Sequence, residues 1–113
     1  MTVLDLRTTE RAGVIHVELS GELDIATAPK LEDALRQVET ARPPLIAIDL
    51  RGLEFKDSSG LRALISADTR ARKEARRLVL VRGSERVQRV LSITRLDERL
   101  EIVDDVQSLA GAA

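Results

Sequence analysis

Apolar residues recur along this chain with two different periods, and the switches between them mark out strands and helices. Leu4 to Thr9 and Val14 to Ser20 alternate, the second run placing Ile15, Val17 and Leu19 on one face and Val14, His16 and Glu18 on the other, as a half-buried strand requires. The short turn between them, containing Arg11, Ala12 and Gly13, predicts a hairpin. From Thr27 to Ala41 the period lengthens. Leu31, Leu35 and Val38 share one helical face, Thr27 is a candidate N-cap, and Pro29 fits the first turn. Arg42, Pro43 and Pro44 stop this helix, because proline lacks an amide donor and drives the residue before it out of helical geometry. Leu45 to Leu50 is mostly apolar, the pattern of a central strand covered by helices.

A second helix is predicted from about Gly60 to Arg76, its buried side marked by Leu61, Leu64, Ile65 and Ala71. Leu78 to Val81 reads as another buried strand, and Gly83 and Ser84 lead into a helix carrying Val87, Val90 and Leu91. Leu100 to Val103 supplies a last short strand. Asp104 and Gln107 stand at capping-box spacing before a predicted terminal helix with Val106 and Leu109, after which Ala110 to Ala113 is expected to fray. Strands alternating with helices after an opening hairpin predict an α/β fold with a mixed sheet. Without repeats, low-complexity tracts or a linker, the 113 residues are expected to form one domain.

Composition removes several classes of function. Apolar residues make up 43% and charged residues 33% with a formal net charge of -1, a balance that fits a compact soluble domain and neither disorder nor a membrane protein. The longest aliphatic runs, Leu45 to Ile48 and Leu78 to Val81, fall far short of the ~20 residues that span a bilayer. Asp5 and Arg7 interrupt the region where a secretory signal needs a continuous apolar stretch. The absence of cysteine excludes disulfides, thiolate metal sites and a cysteine nucleophile, and suits a reducing cytoplasm. His16 is the sole histidine and lies in a strand pattern, so a structural or solvent-facing role is expected. Phe55 is the sole aromatic residue, which removes the stacking platforms of single-strand and RNA binders. The basic run Arg70, Arg72, Lys73, Arg76 and Arg77 is expected to be the solvated end of the second helix, favoured there by the macrodipole; an anion or nucleic-acid patch is the less favoured reading.

Chemistry concentrates in Asp57-Ser58-Ser59-Gly60, where the chain passes from a strand into the second helix. A helix start leaves amide donors unpaired and carries partial positive charge, so it can receive an anion such as phosphate. Ordinary N-capping by Asp57, Ser58 or Ser59 accounts for the same residues without any function. A nucleophile elbow needs glycine two residues before the serine, where Ser58 has Lys56 and Ser59 has Asp57. No Walker-type glycine loop is present. Gly60 is expected to leave room beside the hydroxyl for a partner's surface.

The order Ser20-Gly21-Glu22-Leu23-Asp24, a helix, Ile48-Asp49-Leu50 and then Phe55-Lys56-Asp57-Ser58-Ser59-Gly60-Leu61 resembles the bacterial anti-sigma factor antagonists, the phosphorylatable STAS domains, over nearly the whole chain. The resemblance implies a single STAS domain over residues 1–113. Ser58 is the implied phosphate acceptor, and Asp24, Asp57, Ser58, Ser59 and Gly60 are the implied contacts with a partner. The implied partner is an anti-sigma factor that is also a serine kinase, with an ATPase fold related to histidine kinases. Unphosphorylated antagonist binds it and releases sigma factor, phosphorylation ends the complex, and a metal-dependent serine/threonine phosphatase restores it. On this reading the chain is no enzyme, needs no cofactor, contacts neither nucleic acid nor membrane, and works in the cytoplasm.

Three residues keep alternatives. Asp24 either faces the partner or braces the turn before Thr27, and Ser59 is expected to be a cap or supporting hydroxyl in place of a second acceptor. Lys56 occupies a position often apolar in the family it resembles, so its charge either adjusts partner choice or reaches solvent. The alternative function is a phosphorylation-independent STAS scaffold or regulatory subunit of a signalling or transport assembly. A small enzyme using Ser58 or His16 is the least supported class.

Overall fold

The computed structural model describes residues 3–105 and Gln107. Its strands run β1 (Leu4–Arg11), β2 (Val14–Leu23), β3 (Leu45–Phe55), β4 (Arg77–Val81) and β5 (Glu101–Val103), with helices α1 (Ala28–Glu39), α2 (Ser59–Lys73) and α3 (Glu85–Ile93) between them and a 3₁₀ turn at Leu96–Glu98. The sheet order is β1-β2-β3-β4-β5. β1 and β2 form the predicted antiparallel hairpin, and every later neighbour is parallel. This is the mixed α/β architecture expected from the alternating periods.

β3 explains why its sequence reads as a continuous apolar run. Ile46, Ile48 and Leu50 enter the main core with Leu31 and Leu35 of α1, Leu64 of α2 and Leu91 of α3. Leu45 and Ala47 instead join Val79 in a small second cluster. Successive strand side chains point to opposite faces, so burial on both leaves no place for polar alternation.

Several boundaries move. β1 runs two residues past Thr9, β2 continues from Ser20 to Leu23, and β3 continues through the expected connection to Phe55. α2 ends at Lys73 and not at Arg76. The predicted terminal helix with Val106 and Leu109, and the tail 110–113, lie outside the described residues.

The basic run is solvated as expected at Arg72, Lys73 and Arg77, and departs from that expectation at Arg70 and Arg76. Arg70 Nε and Nη2 donate to the two Glu39 carboxylate oxygens at 2.8 and 3.0 Å, tying α2 to α1. Arg72 donates to Asp68 within the helix at 2.8 Å, and Arg77 pairs with Glu101 on β5. Arg76 is buried, its side chain 3% exposed and paired with Glu74, while its Nε and Nη1 have no hydrogen-bond partner among the described residues. Burying polar donors without partners costs about 1–3 kcal/mol, and Glu74, half-exposed, stays in contact with water when its arginine partner is removed. Arg76→Met is therefore expected to hold or raise the thermal midpoint. A loss of more than about 1 kcal/mol in chemical denaturation would show that the guanidinium stabilises the fold.

Candidate functional site

β2 and β3 are parallel and end in register, Leu23 opposite Phe55, so the loops that follow them emerge side by side at the carboxyl edge of the sheet, where open α/β sheets place their binding sites. The first loop is built by Asp24. Its Oδ1 accepts from the Ala26 and Thr27 amides at 2.8 and 3.0 Å, the self-bonding that lets aspartate set a turn. Thr27 occupies the predicted N-cap position of α1, but its hydroxyl makes no cap bond. It accepts from the Asp24 amide at 3.0 Å and donates to the Glu22 carbonyl at 2.9 Å, closing the turn instead.

Asp57 joins the two loops. Oδ1 accepts from the Ser59 amide at 2.8 Å, satisfying one of the free donors at the start of α2, and Oδ2 accepts from the Ile25 amide at 3.0 Å across the gap. The Ser59 amide, and after it the Ile25 amide, hold the Asp57 carboxyl below the ordinary 3.8, with help from the Ser59 hydroxyl and against the nearby charge of Asp24. A depressed folded-state pKa contributes stability that is fully present above the unfolded value and is lost as pH falls through the folded one. The Tm deficit of Asp57→Ala relative to the unaltered chain is therefore expected to be constant above about pH 5 and to shrink below 3.8. A deficit independent of pH, in melts from pH 7 to 2, would remove the charge from this account.

Because Asp57 supplies the cap, Ser58 does not. Ser58 occupies the N-cap position of α2 with no side-chain cap bond, and its exposed hydroxyl accepts a hydrogen bond from Arg62 Nη2 at 3.3 Å. Of the capping candidates read from the sequence, Asp57 caps, while Ser58 Oγ faces outward at the positive end of a 15-residue helix. Arg62 was not among the residues singled out from sequence, although its four-residue spacing from Ser58 is the helical neighbour spacing that signals contact.

Ser59 is half-buried and supports Asp57. Gly60 does not open the surface as expected. It is buried, and a Cβ there would lie 2.5 Å from Leu23 Cδ2 and 3.1 Å from Phe55 Cδ1, so its missing side chain lets the first turn of α2 pack onto the ends of β2 and β3. Lys56 is held between Glu22 and Glu54, 3.2 and 3.3 Å away. Beside Ser58, Ile25 is 75% exposed, and a shallow groove of about 410 Å³ between α1 and α2 is lined by Ile25, Pro29, Arg62 and Ala63 among others. Asp24, Asp57, Ser58 and Ser59 therefore converge on one surface, with Gly60 beneath it.

His16 lies near the other end of β2, opposite Thr9 and Ala47. Seven residues of strand, about 23 Å, separate it from Leu23, too far to act as a base for Ser58. A larger cleft of about 810 Å³, lined by Arg42, Pro43, Arg70 and Arg76, sits at the opposite end of α2. Among the described residues no cluster of His, Cys, Asp and Glu could hold a metal ion, and no helix is long and apolar enough to cross a membrane.

Comparison with known proteins places this geometry in a family. The STAS domain model matches residues 5–109. An anti-sigma-B factor antagonist of Listeria monocytogenes is 34% identical over 88 residues, covering 78% of this chain and 77% of that protein. The anti-sigma-F factor antagonist RsfB of Mycobacterium tuberculosis is 28% identical over 99 residues, covering 88% and 80%. The crystal structure of an anti-sigma factor antagonist from Mycobacterium paratuberculosis superposes with a TM-score of 0.88 at 30% identity, covering 97% of this chain and 93% of that one. With its mixed sheet, its paired loops at the carboxyl edge and a family match over most of its length, the chain belongs to the STAS domain family.

Proposed function

We propose that this chain, a single STAS domain over residues 1–113, is an anti-sigma factor antagonist switched by phosphorylation of Ser58. Unphosphorylated, it docks the surface formed by Asp24, Asp57, Ser58 and Ser59 on an anti-sigma factor and frees the sigma factor, with exposed Ile25 as the apolar anchor that a buried contact needs. The anti-sigma factor is also the kinase. Ser58 Oγ bonds to the γ-phosphorus of ATP as the bond to ADP breaks, and the hydroxyl proton passes to a base of the kinase. A metal-dependent serine/threonine phosphatase hydrolyses the ester and resets the cycle. The chain is substrate and ligand, not enzyme, and acts in the cytoplasm without contacting nucleic acid or membrane.

The observation that carries this reading is the exposed Ser58 hydroxyl at the start of α2, relieved of capping by Asp57. The names of the relatives support the partner class. Incubation with the cognate anti-sigma factor and magnesium ATP, followed by intact-mass analysis, is expected to add one phosphate to the unaltered chain and none to Ser58→Ala. Phosphate retained by Ser58→Ala would move the site elsewhere, and no phosphate on either chain would favour a scaffold without a phosphate cycle.

A further inference from the structure

Among the described residues the side chain that hydrogen-bonds the Ser58 hydroxyl is a cation. Arg62 Nη2 lies 3.3 Å from Ser58 Oγ, one helical turn along α2, and Arg62 makes no ion pair among the described residues. The carboxylate beside it is already committed, since both Asp57 oxygens accept backbone amides. A phosphoryl group on Oγ would carry three acceptor oxygens and about -1.5 to -2 charges into a position where the guanidinium already points. Charge-assisted N–H···O bonds form at about 2.8 Å and suit the planar fork of arginine.

We propose that Arg62 is the positioning residue that holds phosphate on Ser58, and that phosphorylation thereby withdraws its guanidinium from the docking surface. This rests on Ser58 being the modified residue. In the unphosphorylated chain Arg62 is exposed and lines the groove beside Ile25, free to meet an acidic group of the partner. In the phosphorylated chain the same guanidinium closes an intrahelical clamp from residue 62 to residue 58. The modification then acts twice: it adds bulk and negative charge where the partner packs, and it removes a cation the partner uses. The fold need not move, because the clamp lies within one helical turn.

The test uses the full chain with phosphoserine installed at position 58 during translation, so that it does not depend on any kinase. Phosphorus NMR titration reads the second ionisation of the phosphate. Asp57 on the same loop, Asp24 on the neighbouring loop, and Glu32 and Asp33 of α1, which line the groove with Arg62, all raise that pKa in every variant. The informative quantity is therefore the difference between variants. The pKa is expected to be about 0.5 lower with Arg62 than in Arg62→Gln, and Arg62→Lys should recover part of the gap. Equal titration in all three would overturn the clamp. With unphosphorylated chains, Arg62→Gln is expected to weaken binding of the anti-sigma factor about tenfold; unchanged affinity would overturn the withdrawal of a partner contact. If instead the kinase fails to modify Ser58 while the installed phosphate titrates as expected, the phosphate cycle fails and the clamp stands.

Discussion

Ser58→Asp is expected to lower affinity for the anti-sigma factor by roughly 100-fold or more while leaving the thermal midpoint within about 2 °C of the unaltered chain. The two halves of this expectation have separate causes. At most N-caps, losing the side-chain oxygen costs about 0.5–2 kcal/mol, but here Asp57 accepts from the Ser59 amide and the Ser58 hydroxyl makes no cap bond. A carboxylate at position 58 also meets the positive end of α2, which tolerates or slightly favours it. Folding therefore has little to lose. Binding has much to lose, because like charges or an unpaired charge buried at an interface cost several kcal/mol, and about 2.7 kcal/mol already amounts to 100-fold. Ser58→Ala separates charge from hydroxyl loss and is expected to bind within about threefold of the unaltered chain. Isothermal titration with the purified anti-sigma factor, paired with thermal melts, checks both halves. Equal affinity for Ser58→Asp and Ser58→Ala would sink the electrostatic account, and a collapse of Tm in Ser58→Asp would show that Ser58 is a structural cap after all. Moving a partner from 99:1 to 1:99 occupancy takes about 5.5 kcal/mol, so the aspartate is expected to be a weaker switch than phosphate, which adds greater charge and bulk.

The parts of this site that were legible in the sequence are those set by local chemistry. Leu31, Leu35 and Val38 fix the inward face of α1, Pro43 and Pro44 end the connection after it, and the cluster at residues 57–60 marks the start of α2. What could not be read depends on contacts between distant segments or on unusual backbone. Nothing local says that Asp57 reaches the Ile25 amide, 32 residues away, or that Gly60 packs against Leu23; both need β2 and β3 to end in register. The late end predicted for α2 has a different cause. The helix closes with Ala75 at φ 54° and with the Arg76 amide donating to the Ala71 carbonyl at 2.8 Å, the pattern of a Schellman stop in which the left-handed residue is usually glycine. With alanine there, the helical period of the side chains runs on without a stop signal. Charged Arg51 and Glu54, and Gly52 without a side chain, likewise obscured the second half of β3, which pairs with β2 through Leu53 and Phe55 but extends beyond the end of β4.

Gly21→Ala is expected to cause the larger loss of two glycine substitutions in the hairpin, about 3 kcal/mol, or roughly 12 °C in Tm for a domain of this size. Gly21 has φ +106°, a backbone conformation that L side chains rarely adopt, and an added Cβ would stand 2.3 Å from the Val3 carbonyl oxygen. That oxygen accepts the Glu22 amide at 2.8 Å, so the start of β1 cannot retreat without breaking the bond that anchors it. Retreat would also uncover Leu4, which is opposite Gly21 in the ladder and fully buried in the core. Gly13 serves as the control. It has φ +81°, in the hairpin turn beside Ala12 at φ 53°, but nothing lies within 4 Å of an added Cβ. Gly13→Ala therefore carries backbone strain alone, about 1 kcal/mol. If chemical denaturation gave equal losses for the two, the contact with Val3 would be ruled out as the reason for glycine in the Gly-Glu-Leu-Asp segment, and strain in the left-handed region would suffice. The predicted difference of about 2 kcal/mol instead makes Gly21 the point where the edge strand is locked to the loop that presents Asp24.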